Sequence, residues 1–322
     1  MLALQSENHQ LQHHSLATPP ALDKEFLSHF SLVQKPFVSN LDSQTFYVYP
    51  SAYELLSTLE YAIQSGEGIV KISGESGSGK TYLTNRLMET LAKSHFIVNM
   101  LSTAATPKSF VMGILDEMGI EHRGDYSTQF MLKQLYSCLR AFHERFNIPV
   151  ILVADNAEQL STGVLAVMTT LSAFESQSQQ LMQLVLLGNP LLDQKLKQPR
   201  LNSLVQRIGF AVELKAMNKS QTREYVTQRI KSSGNRNSDV FSSAALNAIY
   251  RASGGNPRRV NTLAHKGMML AFGTGDRIVN KKHIREASAD ANSSGFASAL
   301  AVIATSFVLT CLGVLGIWHY MT

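Results

Sequence analysis

A short run of mostly β-branched residues, Ile69-Val70-Lys71-Ile72, leads into Ser73-Gly74-Glu75-Ser76-Gly77-Ser78-Gly79-Lys80-Thr81, and a helical pattern follows through Leu87 and Leu91. Gly74, four residues, then Gly79-Lys80-Thr81 satisfy the phosphate-loop pattern without a mismatch. That pattern carries meaning only between a strand and a helix, which is where it stands. The glycines reach backbone conformations closed to other residues, so successive N–H groups can turn into one concavity. A helix beginning near Lys80 adds the positive end of its dipole. Gly74, Glu75, Ser76, Gly77, Ser78, Gly79, Lys80, Thr81 and Tyr82 are therefore the candidate cradle for a nucleoside triphosphate. Lys80 would reach the β- and γ-phosphates, and Thr81 would hold Mg2+ through its hydroxyl. The competing reading, a glycine-rich turn that binds nothing, is disfavoured by the flanking strand and helix.

One strand of this kind implies a sheet. Phe96–Leu101, the run Pro149-Val150-Ile151-Leu152-Val153-Ala154 and Met182–Gly188 read as three more strands, and the second is apolar throughout, as in a parallel strand covered on both faces. Helical patterns separate them, near residues 107–118, 127–146 and 163–175, and one more precedes the phosphate loop after Pro50. Strands alternating with helices predict an α/β fold, a three-layer parallel sheet. After Phe210 the pattern changes: helices are expected over 222–232, 242–253, 257–272 and 281–289, broken at Gly234, Gly254-Gly255 and Gly273-Thr274-Gly275. This divides the chain into an α/β domain over residues 24–212 and an all-α domain over 213–290.

The two ends differ from both. Residues 1–23 are polar, with Pro19-Pro20 and three histidines (His9, His13, His14) that lack acidic or thiol partners, and they read as a disordered lead-in. Residues 291–322 read as a membrane anchor, because Gly295–Trp318 contains no charged residue. The stretch is long enough to cross a hydrocarbon core of about 30 Å as one helix. Lys281, Lys282 and Arg285 precede it and only His319 follows. The positive-inside bias then keeps the large domain in the cytoplasm and makes the chain single-pass. A buried helix of a soluble core is the alternative.

Composition narrows the rest. With 322 residues, 44% hydrophobic and 16% charged, the chain suits two modest domains plus an apolar segment. A net charge of +5 permits anionic partners without demanding them. Cys138 and Cys311 are the only cysteines, so neither a disulfide framework nor a thiolate metal site is expected. The amino terminus lacks the charged-then-apolar pattern of a signal peptide.

A phosphate loop needs an acid to help hold Mg2+, and Asp155 stands at the end of the all-apolar strand, where that acid belongs. The alternative reading of Asp155 is a helix cap. Here the order of segments becomes informative: phosphate loop, Asp155, Gly188-Asn189-Pro190, Gln206-Arg207-Ile208, then Gly255-Asn256-Pro257-Arg258-Arg259-Val260-Asn261. From about Phe30 to Asp290 the chain resembles AAA+ ATPases of bacterial secretion and pilus biogenesis, the ExeA/GspA and MshM type. The resemblance implies an ATP-hydrolysing α/β domain with a helical lid, homo-oligomers, and partners in the inner membrane and in an envelope secretion or pilus machine. It makes Asn189 a polar sensor near the γ-phosphate, Arg207 an arginine finger reaching a neighbouring subunit's site, and Arg258 a second sensor turned toward the nucleotide. Residue chemistry alone leaves Asn189-Pro190 as a plain turn and Arg207 as a salt-bridging helix end.

One departure from the family matters. Where the family continues Asp-Glu-Ala-Gln, this chain reads Asp155-Asn156-Ala157-Glu158. Asn156 is neutral and cannot take a proton from water. Glu158 carries a carboxylate, but a two-residue offset ordinarily points elsewhere on a strand-to-helix turn. ATP with Mg2+ is therefore expected to bind, and hydrolysis to be slow. Two other readings are carried forward. One is a nucleic-acid-associated AAA+ regulator using Lys195, Lys197, Arg200, Arg207 and Lys281-Lys282, disfavoured by the apolar tail; the other is an ATP-binding scaffold without hydrolysis.

Overall fold

The computed structural model describes residues 20–37, 50–100, 106–176, 179–235 and 239–289. Two helices, α1 (Pro20–His29) and α2 (Pro50–Gln64), precede β1 (Ile69–Ser73) and α3 (Lys80–Leu91). Then come β2 (Phe96–Met100), α4 (Pro107–Glu117), α5 (Thr128–Phe146), β3 (Val150–Ala154) and α6 (Thr162–Leu171). A small hairpin, β4 (Glu175–Ser176) and β5 (Gln179–Gln180), leads to β6 (Met182–Gly188), α7 (Pro190–Leu196), α8 (Asn202–Gln206) and β7 (Ile208–Glu213). The remainder is helical: α9 (Lys219–Ser232), α10 (Ser243–Ser253), α11 (Pro257–Gly273) and a last helix over 281–289.

The sheet runs β2-β3-β6-β1-β7, with every neighbouring pair parallel. Parallel strands need crossovers, and helices supply them. β3 and β6 are buried at every position, which is why their sequences show no alternation. Alternate residues nevertheless serve opposite faces. Leu152, Ala154, Leu184 and Leu186 share a core with Phe110, Ile114, Leu135 and Leu165 of α4, α5 and α6. Ile151, Val153, Val185 and Leu187, equally buried, turn the other way. There α2 and α3 pack together over Leu59, Ile63, Leu83 and Leu87.

Helix starts are written locally. Thr106 and Ser109 form a reciprocal capping box with Pro107 at the first helical position of α4. Ser127 and Ser161 cap α5 and α6 by accepting from the N–H groups of Phe130 and Val164.

Three departures from the sequence reading have physical causes. The chain does not leave the sheet at Phe210: β7 continues to Glu213 as an edge strand beside β1, its half-buried alternation diluted by Gly209. The helix expected to run to Glu175 ends at Leu171, and Glu175 instead opens the β4–β5 hairpin. The lead-in expected through residue 23 is helical from Pro20, where proline's fixed φ suits a first turn that also holds Asp23.

The chain divides into two compact units: one takes the described residues of 40–225 and 249–262, the other those of 1–39, 226–248 and 263–322. The first holds the sheet. In the second, Phe26 meets Phe30 and Phe272 edge-on at 5.3 and 5.6 Å. Arg229, 1% exposed, donates through Nε to the Pro36 carbonyl at 2.7 Å, and its guanidinium stands 6.0 Å from the Phe37 ring centroid. Among the described residues no helix is long and apolar enough to cross a membrane, and the expected span at 295–318 lies outside them.

Candidate nucleotide site

Three adjacent strands end together. β1, β6 and β3 neighbour one another in the sheet, and their carboxyl ends deliver Gly74, Asn189 and Asp155. In open parallel sheets this edge is where ligands are held.

The turn after β1 is shaped by glycine. Gly77 has φ +80, and a Cβ there would lie 2.7 Å from Arg258 Cβ and 3.0 Å from Asn256 Oδ1. Gly79, at φ +99, caps α3 in the left-handed conformation. α3 therefore begins directly at the end of the loop, and the first N–H groups of a helix have no partner within the helix itself. Lys80 Nζ donates to the carbonyls of Gly74 at 2.6 Å and Glu75 at 3.0 Å, spanning the loop. Burial holds its pKa below the ordinary value, while the carboxylates of Glu158, Asp155 and Glu75 act to raise it and Arg258 to lower it. Ser78 is buried, and its Oγ lacks a protein partner among the described residues. Glu75 and Ser76 are exposed on the loop, and Tyr82 is half-buried in the first turn of α3.

Thr81 Oγ1 donates to Asp155 Oδ2 at 2.6 Å, across 74 positions of sequence. Asp155 Oδ1 accepts from the Asn156 N–H at 2.7 Å. Two hard oxygen donors in contact at the foot of a phosphate loop fit Mg2+, which takes few protein ligands and completes its shell with phosphate and water. Among the described residues no group of three or more His, Cys, Asp or Glu is placed to hold a metal ion. When bound, the ion would offset charge on the β- and γ-phosphate oxygens.

Glu158 does not point away, contrary to the expectation from its two-residue offset. The chain turns sharply after β3: Asn156 sits at φ +52, and residues Ala157–Gln159 form one 3-10 turn. That turn returns the Glu158 carboxylate to the strand ends. Oε1 accepts from Asn189 Nδ2 at 3.0 Å, and Oε2 accepts from the Asn189 N–H at 3.2 Å. Asn189 Oδ1 accepts from the Leu191 N–H at 2.8 Å, so Asn189 is the N-cap of α7 rather than a plain turn. Asn156, at the post where the family's carboxylate was expected, is exposed and caps nothing.

Arg258 is exposed beside the loop: its N–H donates to the Gly77 carbonyl at 3.2 Å, and its charge is felt at Lys80. Arg207 is not gathered with these residues. It ends α8, exposed, with Nη1 donating to the Ser172 carbonyl at 3.4 Å.

Two contributors escaped the sequence reading. Asn256 Nδ2 donates to the Ser76 carbonyl at 2.8 Å, while Oδ1 accepts from the N–H groups of Arg258 and Arg259 at 3.1 and 3.3 Å. It caps α11 and fastens that cap to the phosphate loop; an Asn-Pro pair opening a helix was its signal. Lys195, read as a charge for nucleic acid, donates to the carbonyls of Glu158 at 2.5 Å and Leu160 at 2.8 Å, bracing the 3-10 turn.

Comparison with known proteins agrees with this geometry. A family model described as an AAA domain matches residues 63–196. The general secretion pathway protein A of Aeromonas hydrophila is 30% identical over 250 residues, covering 78% of this chain and 45% of that protein. The chain thus spans about half the length of this curated relative. Among solved structures, Cdc6p from Pyrobaculum aerophilum aligns with a TM-score of 0.61 at 17% identity, covering 78% of this chain and 71% of that one. The Aeropyrum pernix ORC2 protein aligns at 0.56 and 18% identity, covering 80% and 71%. Drosophila ORC bound to DNA aligns at 0.56 and 17%, covering 86% and 68%. At such identities the structural likenesses speak to fold alone. Phosphate loop, strand-end acid, parallel sheet and the match to a secretion protein converge: residues 63–196 form an AAA domain, in a chain similar over 78% of its length to general secretion pathway protein A.

Proposed function

We propose that this chain is a membrane-anchored AAA+ protein that binds ATP with Mg2+, hydrolyses it slowly, and assists assembly of a secretion or pilus machine in the cell envelope. The observation that carries the nucleotide part is the Thr81–Asp155 hydrogen bond at the foot of a phosphate loop whose lysine spans its own carbonyls. The envelope role is supported by similarity to general secretion pathway protein A. The anchor is supported by the uncharged run 295–318, with basic residues before it. In this reading, Lys80 neutralises and orients the β- and γ-phosphates, and the loop N–H groups hold their oxygens. Thr81 and Asp155 would be the protein groups that hold Mg2+. Arg258 stands where it can meet phosphate charge within the chain. Arg207 serves a neighbouring copy, which couples ATP to self-association.

The test combines sizing of the chain in detergent, with and without ATP, with phosphate release in the same samples. ATP-dependent association with slow release supports the proposal; no ATP-dependent change in size counts against the oligomer. Recovery of the intact chain in the aqueous fraction after lysis counts against the anchor. A nucleic-acid-associated role is the second reading, favoured by a fold likeness that includes Drosophila ORC bound to DNA. Salt-dependent retention of DNA would favour it. Binding of ATP without any turnover would favour a scaffold.

A further inference from the structure

Resting on the ATP-binding reading above, we infer that Glu158 is the carboxylate that orients the attacking water and takes its proton, replacing the family's carboxylate at position 156. Asn156 holds that post here with an exposed amide that caps nothing. Glu158 sits three residues beyond Asp155 on a 3-10 turn that Lys195 pins by two of its carbonyls. Both carboxylate oxygens are engaged by Asn189, one by its side-chain amide and one by its backbone N–H. Asn189 has no freedom to swivel, because its Oδ1 is committed to the cap of α7. It follows β6, the strand that lies between β1 and β3. The carboxylate is thereby held at the strand ends that carry the phosphate loop and Asp155. Its charge acts on Lys80 ahead of those of Asp155 and Glu75.

The step is a hydrolysis. A water oxygen bonds to the γ-phosphorus as the bond from that phosphorus to the β–γ bridging oxygen breaks. The electron pair of the broken bond leaves on ADP. The water proton passes to a Glu158 oxygen and from there to the released phosphate. Asn189 is the positioning residue: its backbone N–H and its side-chain amide each hold one oxygen of the carboxylate.

The experiment compares full-length wild type, Glu158→Gln, Glu158→Asp and the double variant Glu158→Gln with Asn156→Glu. Each is measured for ATP affinity by calorimetry, for single-turnover phosphate release and for thermal midpoint. Glu158→Gln is expected to retain ATP affinity within about threefold and to lose about 100-fold in turnover, the scale of a general base. Glu158→Asp, which keeps a carboxylate on the same turn, is expected to fall between. The double variant returns a carboxylate to position 156 and is expected to recover turnover, which a bracing role for Glu158 would not permit. Turnover of Glu158→Gln within tenfold of wild type overturns the inference. So does loss of ATP affinity in step with turnover, or wild type that binds ATP without any turnover. If Glu158→Gln does not fold, turnover of Glu158→Asp equal to wild type, with no recovery in the double variant, overturns it as well. Failure of wild type to bind ATP overturns the nucleotide reading itself, and is distinguished by the affinity arm.

Discussion

Two glycines of the phosphate loop share a left-handed backbone but differ in what surrounds them, so one substitution at each isolates the packing of the loop against residues 256–258. Gly77 and Gly79 have φ of +80 and +99. Alanine at either position costs about 1–2 kcal/mol for the left-handed backbone. At Gly79 no heavy atom lies within 4 Å of the added Cβ, so the cost stops there. At Gly77 the Cβ would lie 2.7 Å from Arg258 Cβ and 3.0 Å from Asn256 Oδ1. Neither neighbour is the loose end of a long side chain. Overpacking of this kind adds about 1–3 kcal/mol. Gly77→Ala should therefore destabilise the nucleotide-free chain by about 1–3 kcal/mol more than Gly79→Ala, read as the difference in urea-unfolding free energy. Equal destabilisation of the two variants, within about 0.5 kcal/mol, would refute the packing of the loop on Asn256 and Arg258.

Asn256→Ala removes both the cap of α11 and the bond to the Ser76 carbonyl, so it should cost about 1–2 kcal/mol by urea unfolding and weaken ATP binding. Asn256→Asp keeps the cap and loses the donor, so its stability should stay closer to wild type while ATP affinity still falls. Leu152→Ala, in the middle of β3 and 1% exposed, should cost about 2–5 kcal/mol by the same measurement. Burial first, and the charge of Lys35 second, lower His265 from its ordinary value of 6.5, so the folded chain binds this proton less readily than the unfolded one. That contribution is intact above pH 6.5 and is lost as acid carries the chain down through the folded value. His265→Gln should flatten the slope of thermal midpoint against pH over that window, and an unchanged slope would contradict the assignment.

The arrangement of the candidate site was legible because it is local: Gly74 to Thr81 lie within eight positions, and Asp155 ends a strand whose burial on both faces is written in an unbroken apolar run. What joins distant segments was less legible. Nothing in Asn256 marks the Ser76 carbonyl as its partner, and Lys195 reads as a surface charge until α7 sets it against the turn after β3. Glu158 was misjudged for a related reason. Counting positions along a regular turn cannot foresee that Asn156 takes a left-handed conformation and redirects the next residues. β7 was hidden by half-burial at the sheet's edge, where apolar alternation is weak. A single boundary near residue 212 also could not express units that each draw on separated stretches of chain.

ATP affinity of the full chain with Mg2+, wild type against Lys80→Ala, tests the central claim most directly. The account predicts a loss of at least about tenfold, since it assigns the phosphates to the lysine that spans the Gly74 and Glu75 carbonyls. Equal affinity in the two proteins, with both folded, would contradict it.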